Sequence, residues 1–463
     1  MPANVDKALA HAESNMTSTI EALKELARIG GVSAEPPPND DLKKSAEAVK
    51  AWMERVGLDR VEVLEIEGVH PYVYGEWLHA EGAPTVLLYA HHDVQPVGRL
   101  DHWKSPPFEP EERDGRLYGR GVVDDKAGAA IHFAALEAYL KNGGLPINVK
   151  VVIDGEEEIG SENLQRFLEA YRDRIDADVI VLTDTANLAA GLPSITYALR
   201  GIVIVDVEVE AIDHPLHSGM WGGPVPDAPM ALCTILSRLT AEDGSIAIEG
   251  LYDDVTELPE ELRERLAALP YDESEFRSDA GMLESVGMAG EPKRHPYEQM
   301  WHRPSLAISA LEAAPLKGAS NQIVPSARAR VGIRTVPNMD GDQTAALLKA
   351  ALEKDPPWNV KVKAEVKTVG GWWLTDPRGP AFEAAERALE KGFGKKSVFI
   401  GCGGSIPFVE PFARVLGGAP ALLIGLEDPL CNAHSENESL LISDFVKAVH
   451  SAVHLYDELS RLE

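Results

Sequence analysis

Apolar and polar positions follow two different rhythms along this chain. Up to about Leu199, short apolar runs alternate with stretches of helical spacing. Residues 84–90, 149–153 and 179–182 predict buried strands, and 41–56, 125–140 and 164–172 predict helices. The first of these helices stops at Gly57, and glycine is a common helix terminator. Strands that alternate with helices imply a largely parallel sheet covered on both faces.

Near Arg200 the rhythm changes. Residues 202–209, 327–336 and 360–369 alternate with period two, and helices are predicted over 227–239 and 344–353. This predicts a small α+β domain built on an antiparallel sheet. Residues 251–304 within it are acidic, proline-bearing and poorly periodic, and read as a long excursion. After Trp372 the first rhythm returns, with a helix over 381–391, a strand over 420–425 and a last helix over 443–461. The fold class is therefore α/β: a three-layer domain with a mostly parallel sheet, formed by 1–198 and 373–463, with a ferredoxin-like α+β domain inserted at 199–372.

Polar clusters stand at the ends of the apolar runs: His91-His92-Asp93, Asp124-Asp125-Lys126, Glu156-Glu157-Glu158, Asp184, and His434 in Ala433-His434-Ser435. In open parallel sheets, ligands bind outside the carboxyl ends of the strands. Each cluster has an ordinary alternative. His-x-Asp is commonly structural, an aspartate at a helix start is commonly an N-cap, and three glutamates can form a solvated turn. His217 in Leu216-His217-Ser218-Gly219 could be a packing residue, and Arg334 could simply be exposed on its strand. Together, however, imidazoles and carboxylates on neighbouring strand ends form a donor set for a divalent cation, and the mix suits Zn²⁺ or Mn²⁺. Strand alternation places Asp93 on the side of His91, where it can orient an imidazole ligand, and turns His92 away. A glutamate beside a ligating glutamate can serve as general base.

Composition narrows the field. The 463 residues are 44% hydrophobic and 25% charged, as in an ordinary globular protein, with a formal net charge of −30. That charge argues against nucleic acid or an anionic membrane as partner. Three cysteines, Cys233, Cys402 and Cys431, supply neither a disulfide framework nor a CxxC metal knuckle. With no signal-like N-terminus and no apolar run of spanning length, a cytoplasmic protein is expected. Asn437-Glu438-Ser439 matches the glycosylation sequon and reads as a chance match. No His-Glu-x-x-His occurs, and Gly394-Lys395-Lys396-Ser397 misses the phosphate-loop spacing.

The segments 89–96 (Tyr-Ala-His-His-Asp-Val-Gln-Pro), 118–126 (Tyr-Gly-Arg-Gly-Val-Val-Asp-Asp-Lys) and 155–161 (Gly-Glu-Glu-Glu-Ile-Gly-Ser) combine with four more. These are Leu199-Arg200-Gly201, Leu216-His217-Ser218-Gly219, Gly403-Gly404-Ser405-Ile406-Pro407 and Ala433-His434-Ser435. In this order they resemble the co-catalytic di-metal peptidases, a family of carnosine dipeptidases, aminoacylases, acetylornithine deacetylases and glutamate carboxypeptidases. The carnosinase-like dipeptidase branch is the most similar.

The resemblance implies two divalent ions, Zn²⁺ or Mn²⁺, one held by His91, Asp124 and Asp184 and the other by Asp124, Glu158 and His434. It implies Glu157 as general base, Asp93 behind His91, and a cis Asp124–Asp125 peptide. It implies His217 at the developing oxyanion, and Arg334, Asn321, Gln322, Gly404 and Ser405 at the substrate carboxylate. The implied activity is cleavage of dipeptides or short peptides with a free C-terminus, with deacylase or carboxypeptidase action as the alternative and a non-catalytic peptide-binding homologue as a more distant one. A homodimer through the inserted lid domain is also implied. The sequence departs from the family pattern at Ala90, at His214-Pro215 and at Gly401-Cys402, where an Arg-Glu pair is expected.

Overall fold

The computed structural model describes residues 4–462 except 162, 292, 405, 407 and 408. The chain forms two compact units, one of Met1–Tyr197, Thr375–Ile400 and Ile406–Glu463, the other of Ala198–Leu374 and Gly401–Ser405.

The first unit is built on a twisted sheet. Its strands run in the order Asp59–Leu64, Tyr72–Trp77, Asn148–Asp154, Thr85–His91, Val179–Leu182, Ala421–Ile424 and Ser194–Leu199. The four strands from Asn148–Asp154 to Ala421–Ile424 are mutually parallel, and the flanking pairings are antiparallel. The parallel strands are buried on both faces, which is why each reads as a continuous apolar run. Val86, Leu88, Val149, Val151, Val179 and Val181 join one core with Val5–Ala27, Lys126–Leu140, Pro380–Phe393 and Ile442–Leu459. On the other face Phe167, from Leu164–Ile175, stacks on Tyr72 with ring centroids 4.3 Å apart. Both faces are thus covered, as the sequence pattern requires.

The predicted helix over 41–56 is Asp40–Val56, capped by Asn39 and closed by Gly57 at φ 104°. The helix Val5–Ala27 was not anticipated. Its polar residues are frequent and interrupt the apolar stripe of Ala8, Ala12, Met16, Leu23, Leu26 and Ala27 that reaches the core.

The second unit holds a four-stranded antiparallel sheet in the order Ser305–Glu312, Ser326–Thr335, Gly201–Glu210, Lys361–Gly370. Alternate residues of Gly201–Glu210, Val203 to Val209, pack with Ala228–Ser237 and Gly341–Glu353 in a separate core. The excursion over 251–304 contains three short helices, Glu260–Ala267, Glu273–Asp279 and Pro296–His302. At seven or eight residues each, they are too short to show a helical period in sequence.

Candidate metal centre

Parallel strands end at one edge of a sheet, and the polar clusters meet there. His91 is the last residue of Thr85–His91, whose neighbours lead to Glu157-Glu158 on one side and Asp184 on the other. Asp124 arrives on the loop before Lys126–Leu140, and the Asp124–Asp125 peptide is cis. Asp125 precedes the helix but makes no side-chain cap; its carboxylate instead accepts the His91 N–H at 3.3 Å.

His91 is fully buried. Its Nδ1–H donates to the Asp93 carbonyl at 3.1 Å, with the Asp93 carboxylate 3.4 Å away. Nε2 therefore faces Asp124 at 2.9 Å, Asp184 at 3.7 Å and Glu157 at 4.0 Å. The Asp93 carboxylate also accepts the backbone N–H groups of Glu157 at 3.2 Å and Glu158 at 3.0 Å. One aspartate thus aligns an imidazole and two glutamates. His92 points away, donating from Nε2 to the Pro71 carbonyl at 2.9 Å, and burial holds its pKa down at about 4.

The three glutamates divide. Glu156 is tied down by the Tyr72 hydroxyl at 3.0 Å and by the Asn163 backbone N–H and side-chain amide at 3.0 and 3.1 Å. Glu157 and Glu158 face the cluster. Glu158 accepts from the Gln95 backbone and side chain at 3.1 and 2.9 Å, and its Oε2 lies 3.0 Å from His434 Nε2. His434 Nε2 is also 3.0 Å from Asp124. The His434 backbone sits in the left-handed region at φ 61°, an uncommon position for a residue with a side chain and one frequent at functional sites.

Among the described residues, the ion-pair partners of Asp124, Glu157, Glu158 and Asp184 are these two histidines. Burial, then Asp184, pushes the Glu157 carboxyl well up. Burial, then Asp124, lifts Glu158 to about 7. Hydrogen bonds to Asp124 and Glu158 raise His434 to about 11. Carboxylates in this arrangement repel one another, and a divalent ion is the group that relieves them. Among the described residues, three sets offer ligand atoms within 4.8 Å of one another: His91–Asp124–Glu158, His91–Glu157–Asp184 and Asp124–Asp184–Glu427. This imidazole and carboxylate donor set fits divalent transition ions.

Two residues of this region were not singled out in the sequence. Glu438 is buried and accepts from Arg120 at 2.7 Å and from the backbone N–H groups of Gly121, Val123 and Asp124 at 3.0, 3.1 and 3.3 Å. It anchors the loop that carries Asp124, and its sequon context concealed it. Glu427 supplies an oxygen within 4.8 Å of oxygens of Asp124 and Asp184.

The remaining candidates lie in the second unit. Leu216–His217 and Gln322–Ile323 form a two-stranded ribbon in which His217 is opposite Gln322, and Asn321 accepts the Ser218 N–H at 2.9 Å. His217 is exposed, and its Nδ1 accepts the Gly219 N–H at 3.1 Å, leaving Nε2–H as a donor. Arg334 is half-buried on Ser326–Thr335, opposite Ser305 and Ile202. Arg200 fixes the glycine turn: its backbone N–H donates to Gly404 O at 3.1 Å and its Nε to Gly403 O at 3.0 Å. Ser405 lies outside the described residues. A Cβ at Gly401, where the family pattern has arginine, would come within 2.5 Å of Trp301 Cβ, so a side chain there would require Trp301 to move.

Residues 87–458 match the model of the peptidase family M20/M25/M40. The chain belongs to this family. A cysteinylglycine-S-conjugate dipeptidase of Corynebacterium striatum is 33% identical over 441 residues, covering 94% of this chain and 95% of the relative. Among solved structures, human carnosine dipeptidase 1 matches with a TM-score of 0.88 at 27% identity over the whole of both chains. An M20 metallo-carboxypeptidase of Sulfolobus solfataricus matches with a TM-score of 0.83 at 28% identity, covering 96% of this chain and 99% of its own. This M20 peptidase is thus a metallopeptidase, with divalent ions as its cofactors.

Proposed function

We propose that this M20 peptidase hydrolyses dipeptides or short peptides that carry a free C-terminal carboxylate, with Glu157 as the proton carrier. The observation that carries the reading is the position of Glu157. Its backbone is fixed by Asp93, and its Oε2 is 4.0 Å from the Nε2 of His91. Its neighbour Glu158 instead pairs with His434. When bound, two divalent ions would supply an acidified water and a positive charge at the scissile carbonyl. His91, Asp124 and Asp184 would hold one and Asp124, Glu158 and His434 the other, as Zn²⁺ or Mn²⁺.

Glu157 takes a proton from the attacking water and returns it to the leaving amine. Burial and Asp184 raise its proton affinity, which suits a group that must hold a proton between the two steps. His217, through Nε2–H, would stabilise the oxyanion. Arg334, Asn321, Gln322, Gly404 and Ser405 would receive the substrate carboxylate, and a guanidinium pairs bidentately with such a group.

A cytoplasmic homodimer through the second unit completes the proposal. Met220, Trp221, Ile308, Leu311 and Leu316 are exposed there, and Ser305–Glu312 is an edge strand, so an apolar surface is available for a partner copy. Among the described residues no helix is long and apolar enough to cross a membrane.

Carboxypeptidase or deacylase action on the same centre is the second reading. It is favoured by the similarity to the Sulfolobus carboxypeptidase and by Gly401-Cys402, where no acidic side chain is present to meet a substrate amine. A panel of free dipeptides and their N-acetylated counterparts separates the two. Chelator-sensitive cleavage of the free dipeptides alone is expected; preferential cleavage of acetylated compounds would establish the second reading. Glu157→Gln should lower turnover by about 10²–10⁴-fold with metal content unchanged, and undiminished turnover would remove Glu157 from its role.

A further inference from the structure

Four adjacent parallel strands end at the metal centre, and three of them deliver residues already assigned to it: Glu157 and Glu158, His91, and Asp184. The fourth, Ala421–Ile424, runs parallel to Val179–Leu182 and is followed by Glu427. Glu427 is held closely on both sides. The Leu426 N–H donates to Thr185 O at 2.8 Å, and the Asn187 N–H donates to Glu427 O at 2.6 Å. Residue 425 must be glycine, because a Cβ there would lie 1.4 Å from Thr185 O. On the far side, Asp428 is bound by Arg116 at 2.6 Å. The backbone of 425–428 is therefore clamped to the segment that follows Asp184. The half-buried Glu427 side chain presents an oxygen within 4.8 Å of oxygens of both Asp124 and Asp184. Among the described residues it has no ion-pair partner.

We propose that Glu427 is a further carboxylate ligand of the divalent ion held by Asp124 and Asp184. The inference rests on the two-metal reading above and deepens it. A third carboxylate oxygen would add negative charge and one coordination position on that side, which favours an ion that accepts five or six oxygen-rich ligands, such as Mn²⁺.

The test uses the full-length protein, stripped with a chelator and equilibrated with Mn²⁺ or Zn²⁺ at buffered free concentrations, with bound metal counted per chain. Wild-type protein should bind two ions. In Glu427→Gln the half-saturating concentration of one of them should rise by about tenfold or more, while the other is unchanged. Thermal unfolding supplies a second readout. The metal-free variant should melt no lower than metal-free wild type, since a repelling carboxylate has been neutralised, and should gain less on adding metal. Fewer than two ions in the wild type would overturn the two-metal reading and this proposal together. Two ions in the wild type with unshifted affinity in the variant would overturn the assignment of Glu427 alone. So would an unshifted affinity accompanied by a raised KM for free dipeptides only, which would instead place Glu427 against the substrate ammonium.

Discussion

Asp154 shows how far burial can shift a single residue next to the site. It is fully buried at the end of its strand and accepts from the Tyr89 hydroxyl at 3.1 Å, the Ser161 hydroxyl at 2.8 Å and the Glu156 N–H at 2.8 Å. Burial, then the charges of Asp93 and Glu156, raises its pKa to about 7. The folded state thus binds a proton that the unfolded chain releases near pH ~4. Stability of the metal-free protein should therefore fall as pH rises from about 4 to about 7, because the native state binds more protons across that window. Asp154→Asn should flatten that slope; denaturant titrations near pH 5 and pH 7 measure it, and an unchanged slope would exclude Asp154 as the source. At this scale the sequence was partly legible. A His-x-Asp at a strand end predicted that Asp93 would serve His91. That Asp93 also holds Glu157 and Glu158 through their backbone N–H groups could not be seen.

Among the elements, the loop from Gly119 to Asp125 depends on a residue more than 300 positions away in the chain. Glu438 neutralises Arg120 and accepts three backbone N–H groups that have no strand or helix to satisfy them. Glu438→Ala should lower stability by about 3–5 kcal/mol, since it leaves a buried guanidinium unpaired. It should also weaken metal binding by displacing Asp124. Denaturant titration and metal counting test both, and intact metal affinity would show that the loop holds Asp124 without Glu438. The elements themselves were largely readable. The strand over 179–182 and the helices Asp40–Val56 and Lys126–Leu140 lie within a residue of their predicted ends. Buried parallel strands and glycine stops are strong local signals. Val5–Ala27 escaped because many polar residues interrupt its apolar positions, and the three helices of the excursion because each has only seven or eight residues.

For the whole molecule, the open question is assembly. If His217 acts in the partner's site, mixed dimers of His217→Ala and Glu157→Gln each contain one site with both groups intact. Half of randomly assembled dimers are mixed, so co-refolded subunits should recover about a quarter of wild-type activity. No recovery in a confirmed heterodimer would rule out the shared site. The acidic surface bears on the same question, because a net charge of −30 opposes association. The exposed Met220, Trp221, Ile308 and Leu311 would have to outweigh that repulsion.

The sequence by itself determined the family, the α/β class and the order of elements. These depend on local rhythm and on short motifs whose chemistry requires particular side chains. Tertiary structure alone decided how the acids beside the motif residues are used. Glu156 turned to Tyr72 and Asn163, while Glu427, the first of two adjacent acids before Pro429, was carried to Asp124 and Asp184 by the fourth parallel strand. A carboxylate has the same appearance in sequence whether it caps a turn, anchors a loop or faces a cation. Its role is set by the groups that long-range strand pairing places around it.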